Sequence, residues 1–229
     1  MDKIAFDKEL NPEQNAAATA PDGPLLVLAA AGTGKTRTLV YRVAYLMQKG
    51  IDPARILLLT FTNKAAREML DRARALVGIN VGGLWGGTFH HMANRMLRHH
   101  AHHLGFKHDY TILDSDDSTS LIKRAIKDCH LDSKEFPKAE VLADIFGMAA
   151  NTEKPVSVVA AKRFEEHPVD LQDISRVHEA YTAKKRATNA MDFDDLLVLW
   201  LRLLREHADV LEFWQRRCQF ILVDEYQDT

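Results

Sequence analysis

Leu25-Leu26-Val27-Leu28-Ala29-Ala30-Ala31-Gly32-Thr33-Gly34-Lys35-Thr36 is the stretch around which the rest of this chain is organised. Leu25 to Ala29 is a short apolar run without helical period, and Pro24 precedes it. Such a run predicts a strand buried on both faces of a parallel sheet. The residues after it fit the loop pattern G-x-x-x-x-G-K-[ST], with Ala29 where the first Gly usually stands. In that pattern Ala29, Ala30, Ala31, Gly32, Thr33 and Gly34 form a phosphate cradle. Gly32 and Gly34 let the backbone curl so that its N–H groups point inward. Lys35 reaches the outer phosphates of a nucleotide, and the Thr36 hydroxyl can ligate Mg²⁺. A helix from Lys35 to about Lys49 adds its positive N-terminal end.

A P-loop needs an acidic partner, and one stands at the far end of the chain. Phe220-Ile221-Leu222-Val223 reads as a buried strand running into Asp224-Glu225-Tyr226-Gln227-Asp228-Thr229. Asp224 can hold Mg²⁺, and Glu225 can orient and deprotonate an attacking water. Lys35, Asp224 and Glu225 are therefore the candidate catalytic residues, with Thr36 and Asp224 the candidate metal ligands.

Between these ends, Ile56-Leu57-Leu58-Leu59-Thr60 predicts another buried strand, completing a βαβ unit with the first. Phe61-Thr62-Asn63-Lys64 follows it, and Ala65 to Val77 is helical in pattern. Phe61 is either a core residue or a surface on which a base can stack; Asn63 is either a helix cap or a polar contact. Upstream, Asn11 caps a short helix with Pro12 at its first position, which carries Gln14. Taken alone, Gln14 reads first as a surface helix residue, although its amide can also match an adenine edge.

Gly82 to His90 is a Gly-rich connection around a short strand, followed by a helix from about His91 to His103. Its histidines read as a solvated face rather than a metal site, because no Cys or acidic ligand shares the helix. Arg95 and Arg98 lie on the same helix, where a phosphate contact is possible. From Asp109 to Ala190 the pattern turns helical, with predicted helices at 117–129, 137–150, 156–166 and 171–187. The last ends in Lys184-Lys185-Arg186, charges that suit a helix C-terminus or face nucleic acid. Met191-Asp192-Phe193-Asp194-Asp195-Leu196-Leu197 opens a further helix capped by Asp192.

The chain has 30 Lys and Arg against 32 Asp and Glu, a net charge of −2, which excludes a globally basic nucleic-acid binder; any such surface must be local. Cys129 and Cys218 are far apart and read as free thiols of a reducing compartment. No run approaches transmembrane length and no signal peptide is evident, so a cytoplasmic protein without membrane contact is expected.

Six stretches fall in a characteristic order: Asn11 to Gln14, the P-loop, Thr60 to Ala66, Gly87-Thr88-Phe89-His90, Met191 to Leu197 and Asp224 to Thr229. Together they resemble the amino-terminal half of UvrD/Rep-type DNA helicases of superfamily 1. The resemblance implies an α/β fold: a RecA-like P-loop NTPase parallel sheet with a mostly helical inserted subdomain. Residues 1–89 and 191–229 would form the motor domain and 90–190 the insertion. It implies ATP and Mg²⁺ as cofactors, with Gln14 reading adenine and Arg37 near the nucleotide. It implies that Phe61, Asn63, Thr88 and His90 line a track for single-stranded DNA. Relatives often carry Ser where His91 stands, so no DNA role is carried over to His91. The full motor would move 3′ to 5′ on single strands and open single-strand/duplex junctions, with accessory repair or replication proteins as partners. The alternatives are the motor portion of a helicase–nuclease and a short non-motor nucleotide- or DNA-binding module.

The chain stops just after the Asp-Glu motif, which reads as a fragment expected to lack unwinding and DNA-stimulated ATPase. The resemblance also places one more strand between the Leu25–Ala29 strand and Phe220–Val223. In its absence three outcomes are open: the two strands pair directly, a neighbouring chain fills the gap, or the missing segment lies outside this sequence.

Overall fold

The computed structural model describes residues 4–78, 83–131, 136–165 and 169–228; Gly82, Glu166 and Thr229, named above, lie outside the described residues. In chain order the elements are α1 (Phe6–Glu9), α2 (Pro12–Ala18), α3 (Lys35–Gln48), β1 (Ile56–Thr60), α4 (Asn63–Val77), β2 (Trp85–Thr88), α5 (Phe89–His100), β3 (Thr111–Ile112), α6 (Ser115–Asp128), α7 (Ala139–Thr152), α8 (Val156–Arg163), α9 (Leu171–Ala187), β4 (Ala190–Met191), α10 (Phe193–Glu206), α11 (Ala208–Arg217) and β5 (Phe220–Val223). The chain divides into two compact units, one of residues up to Met92 and from Asp209 on, the other Ala93–Ala208.

The first unit is built on a parallel sheet of order β2-β1-β5. β1 is the central strand, with Leu57 opposite Trp85 on one side and Ile221 on the other. All five of its residues are buried, which is what an unbroken apolar run at the centre of a parallel sheet requires. Ile56 and Leu58 pack with Val40, Val43 and Leu46 of α3 and Met69 and Ala73 of α4. The glycines of β2 are set by close packing. A Cβ on Gly86 would stand 2.9 Å from a Leu70 methyl of α4, and one on Gly87 would stand 2.8 Å from the His91 ring.

Caps fix the helix starts. Asn11 and Gln14 form a reciprocal capping box at α2. At α4 the Thr62 hydroxyl accepts from the Ala65 N–H at 3.1 Å. Thr62, not Asn63, is therefore the cap of that helix.

The predicted strand at Leu25–Ala29 does not form. No strand is assigned there, and Leu25, Leu26, Val27 and Leu28 are 55, 67, 45 and 87% exposed. Direct pairing with Phe220–Val223, one of the three outcomes left open, is not seen: among the described residues β5 pairs only with β1. The physical reason is that an apolar run states a preference for burial but cannot supply its own partner. A strand exists only where a neighbouring backbone takes up its N–H and C=O groups.

The second unit is mainly helical. Ile122, Leu142, Phe146, Val159, Ile174, Val177 and Tyr181, drawn from α6, α7, α8 and α9, form its core. A two-residue parallel ladder pairs β3 with β4 in the same unit. α10, which the sequence grouped with the second part of the motor domain, packs in this unit against α7. A Cβ on Gly147 of α7 would lie 2.8 Å from a carboxylate oxygen of Asp194.

Candidate nucleotide site and sheet edge

The loop after Leu28, expected to cradle phosphate, forms a tight turn although no strand leads into it. Positive φ falls on Gly32 (78°) and Gly34 (89°), and Ala29 is not among the residues with positive φ. The Ala at the first position of the pattern therefore costs no strain. Thr33 closes the turn, its hydroxyl donating to the Ala30 carbonyl at 2.7 Å. Ala29, Ala30, Ala31, Gly32 and Thr33 are exposed, so the cradle is open to solvent. Gly34 is the N-cap of α3, and Lys35 and Thr36 begin that helix. Its first N–H groups have no intrahelical partner and are free to face anions.

Gln14 sits against this loop. Its side-chain Nε2 donates to the Thr33 carbonyl at 2.8 Å, while its Oε1 accepts from the Asn11 N–H at 3.3 Å. A Cβ on Gly34 would come within 2.7 Å of Gln14 Nε2, the tip of a flexible side chain that can shift, so it is the φ of 89° that calls for glycine there. Arg37 points elsewhere: Nη2 donates to the Glu9 carbonyl at 2.7 Å, and the guanidinium lies 5.3 Å from the Tyr41 ring centre.

β5 delivers the acidic pair to the loop. The Asp224 N–H donates to the Leu59 carbonyl at 2.9 Å, extending the β1–β5 ladder by one residue. Asp224 is 5% exposed, and the Thr36 hydroxyl donates to its Oδ2 at 3.3 Å. A hydroxyl and a buried carboxylate oxygen are the hard donors that Mg²⁺ selects. Glu225 follows with φ 52°, in the left-handed region, and its Oε1 lies 4.0 Å from Lys35 Nζ. Its Oε2 accepts from Gln227 Nε2 at 2.5 Å, a contact that the sequence reading did not anticipate.

The UvrD/REP helicase N-terminal domain matches residues 10–229. The chain belongs to the UvrD/REP helicase family. Two similar relatives are named ATP-dependent DNA helicase PcrA. The Staphylococcus aureus protein is 39% identical over 226 residues, and the Bacillus subtilis protein 41% identical over 223. These alignments cover 98% and 96% of this chain but 30% and 29% of the relatives. The chain thus spans under a third of their length. The parallel sheet with its P-loop is accordingly the RecA-like helicase domain of the UvrD/REP family.

The residues expected on a DNA track lie along the carboxyl edge of the same sheet. Phe61 follows the last residue of β1 and is 53% exposed, so it is not a core residue. Asn63 is exposed in the first turn of α4. Thr88 ends β2, in register with Thr60, and its hydroxyl accepts from the His91 N–H at 3.2 Å. His90 is the second residue of α5 and is half-buried.

Lys185 falls in neither role considered for the Lys184-Lys185-Arg186 run. It is 5% exposed, and its Nζ meets Asp192 Oδ2 at 2.5 Å and Asp195 Oδ2 at 2.6 Å. The Tyr181 hydroxyl donates to the same Asp192 oxygen at 2.7 Å. Burial pushes Asp192 up, but the Lys185 charge and hydrogen bond, with the Asp195 N–H and Tyr181 hydroxyl, hold it below the usual carboxylate range. Of the other two basic residues, Lys184 pairs with Asp128, and Arg186 lies 5.7 Å from the Phe106 ring centre. A basic residue seven positions before a capping Asp was the available signal, but it did not reveal that the pair would be buried.

Among the described residues no three His, Cys, Asp or Glu side chains are grouped to hold a metal ion. No helix of the described residues is long and apolar enough to cross a membrane.

Proposed function

We propose that this chain is the nucleotide-binding lobe of an ATP-dependent DNA helicase motor that moves 3′ to 5′ on single-stranded DNA and opens single-strand/duplex junctions. The observation that carries the reading is the meeting of Thr36 with Asp224 at 3.3 Å and of Lys35 with Glu225 at 4.0 Å, which joins the two ends of the chain. In this reading Ala29 to Thr36 hold the phosphates of ATP, Lys35 neutralises the outer ones, and Thr36 and Asp224 hold Mg²⁺. The ion, when bound, neutralises charge on the phosphate oxygens. Glu225 orients the attacking water and accepts its proton.

Gln14 is assigned to the adenine edge and Arg37 to the nucleotide's surroundings. Both side chains must leave their present partners, Thr33 and Glu9, to take up those roles. Phe61, Asn63, Thr88 and His90 are assigned to the DNA track. The support is their shared place at the carboxyl ends of β1 and β2, where open α/β sheets bind ligands. We read residues 90–190 as an insertion into a motor domain formed by 1–89 and 191–229, with α10, although it follows the insertion in sequence, packed with the inserted helices. The two free cysteines accord with a reducing compartment such as the cytoplasm.

The reading is tested by calorimetric titration of the chain with ATP in Mg²⁺. Wild type should bind, and Lys35→Ala should lose at least about tenfold in affinity, the equivalent of ~1.4 kcal/mol. Equal affinities would overturn it.

A further inference from the structure

We propose that Gln227 is the positioning residue for the Glu225 carboxylate, an inference that rests on the catalytic role just given to Glu225. Three features converge on it. The Glu225 backbone is left-handed at φ 52°, and the Asp228 N–H donates to the Glu225 carbonyl at 2.9 Å, closing a 3₁₀ turn over Tyr226–Asp228. That turn brings the Gln227 side chain back over Glu225, where Nε2 donates to Oε2 at 2.5 Å.

The Glu225 side chain is 38% exposed, so packing alone does not select its rotamer. Its other oxygen faces Lys35 Nζ at 4.0 Å. Lys35 is the group that ATP phosphates would recruit, and once it turns to them Gln227 is the donor that stays with Glu225. One carboxylate oxygen is then fixed by the amide while the other faces the loop, as a base waiting for a water requires. Left-handed backbone at a non-glycine residue persists where surrounding contacts over-determine it, and such residues cluster at active sites.

The experiment is steady-state and single-turnover ATP hydrolysis by the full-length protein, with Gln227→Met (no donor), Gln227→Glu (same shape, no donor) and Gln227→His (donor kept). In the wild-type background kcat should fall on the order of tenfold or more for Gln227→Met and Gln227→Glu, with KM within about twofold. Gln227→His should recover much of the loss. In a Glu225→Gln background the same substitutions should have no further effect, because Gln227 acts only through Glu225.

An unchanged kcat in the wild-type background overturns the proposal. So does an equal fold-loss in both backgrounds, which is the mark of a merely structural residue. If Lys35→Ala fails to weaken ATP binding, the nucleotide reading itself falls. If Lys35→Ala behaves as expected while Gln227→Met is silent, only the present inference falls.

Discussion

The Thr36 hydroxyl donates to the Asp224 carboxylate at 3.3 Å, although 188 positions separate the two in sequence. The contact brings the first turn of α3 to the end of β5, at the two groups proposed above to hold Mg²⁺. Asp224 to Asn keeps the size and removes the charge. Its affinity for ATP in Mg²⁺ should fall roughly tenfold, ~1.4 kcal/mol, while its affinity for ATP in EDTA stays near that of wild type. Titrations with and without Mg²⁺ check this; an equal loss in both would mean that Asp224 serves the fold and not the ion.

Phe61 is exposed just beyond the central strand, so its removal should leave the fold intact and weaken DNA binding. Base stacking on an aromatic side chain is worth about 1–3 kcal/mol. Fluorescence anisotropy with a labelled single strand at low salt should therefore show Phe61→Ala weaker than wild type by that amount. Its melting temperature should match wild type. Affinity should fall for both proteins as salt rises, since phosphate contacts carry much of such binding.

Lys185 joins α9 to the start of α10 through Asp192 and Asp195. Replacing it with Met keeps the stem and leaves two partly buried carboxylates without their cation. Breaking a fully buried pair by removing one partner costs about 3–5 kcal/mol, so urea unfolding of Lys185→Met should show a loss approaching that, reduced by the solvent that reaches the carboxylates. A triple replacement, Lys185→Met with Asp192→Asn and Asp195→Asn, should recover part of it, because fewer charges remain stranded.

His178 adds a pH dependence. Burial holds its imidazole below the ordinary histidine value of 6.5, with the Lys185 charge acting in the same direction. The unfolded chain then takes up a proton at a higher pH than the folded one. The stability contributed by the neutral ring is present above 6.5 and is lost as pH falls through that value and below it. Urea midpoints at pH 7.5 and 5.5 should differ more for wild type than for His178→Gln. Equal differences would show that another group controls the slope.

Much of this protein was legible in one dimension because its signals are local. Asn11, Asp192 and the glycines at 32 and 34 act on backbone within a few residues of themselves, so caps and loop conformation could be read directly. Leu171–Ala187 and Phe220–Val223 have the bounds that their patterns predicted. The ordered set of motifs likewise points to the family without recourse to tertiary structure.

Leu25–Ala29, Lys185 and Gln227 were decided only in three dimensions. A strand depends on a partner backbone, and among the described residues none pairs with 25–29. Lys185 looked like a helix-end charge until the fold brought Asp192 and Asp195 over it. Gln227 reaches Glu225 because the chain turns left-handed at Glu225, a conformation that no residue type there announces. Composition and spacing record what a residue prefers; which partner satisfies that preference is set by contacts between segments distant in sequence, or by a turn whose φ the sequence does not encode.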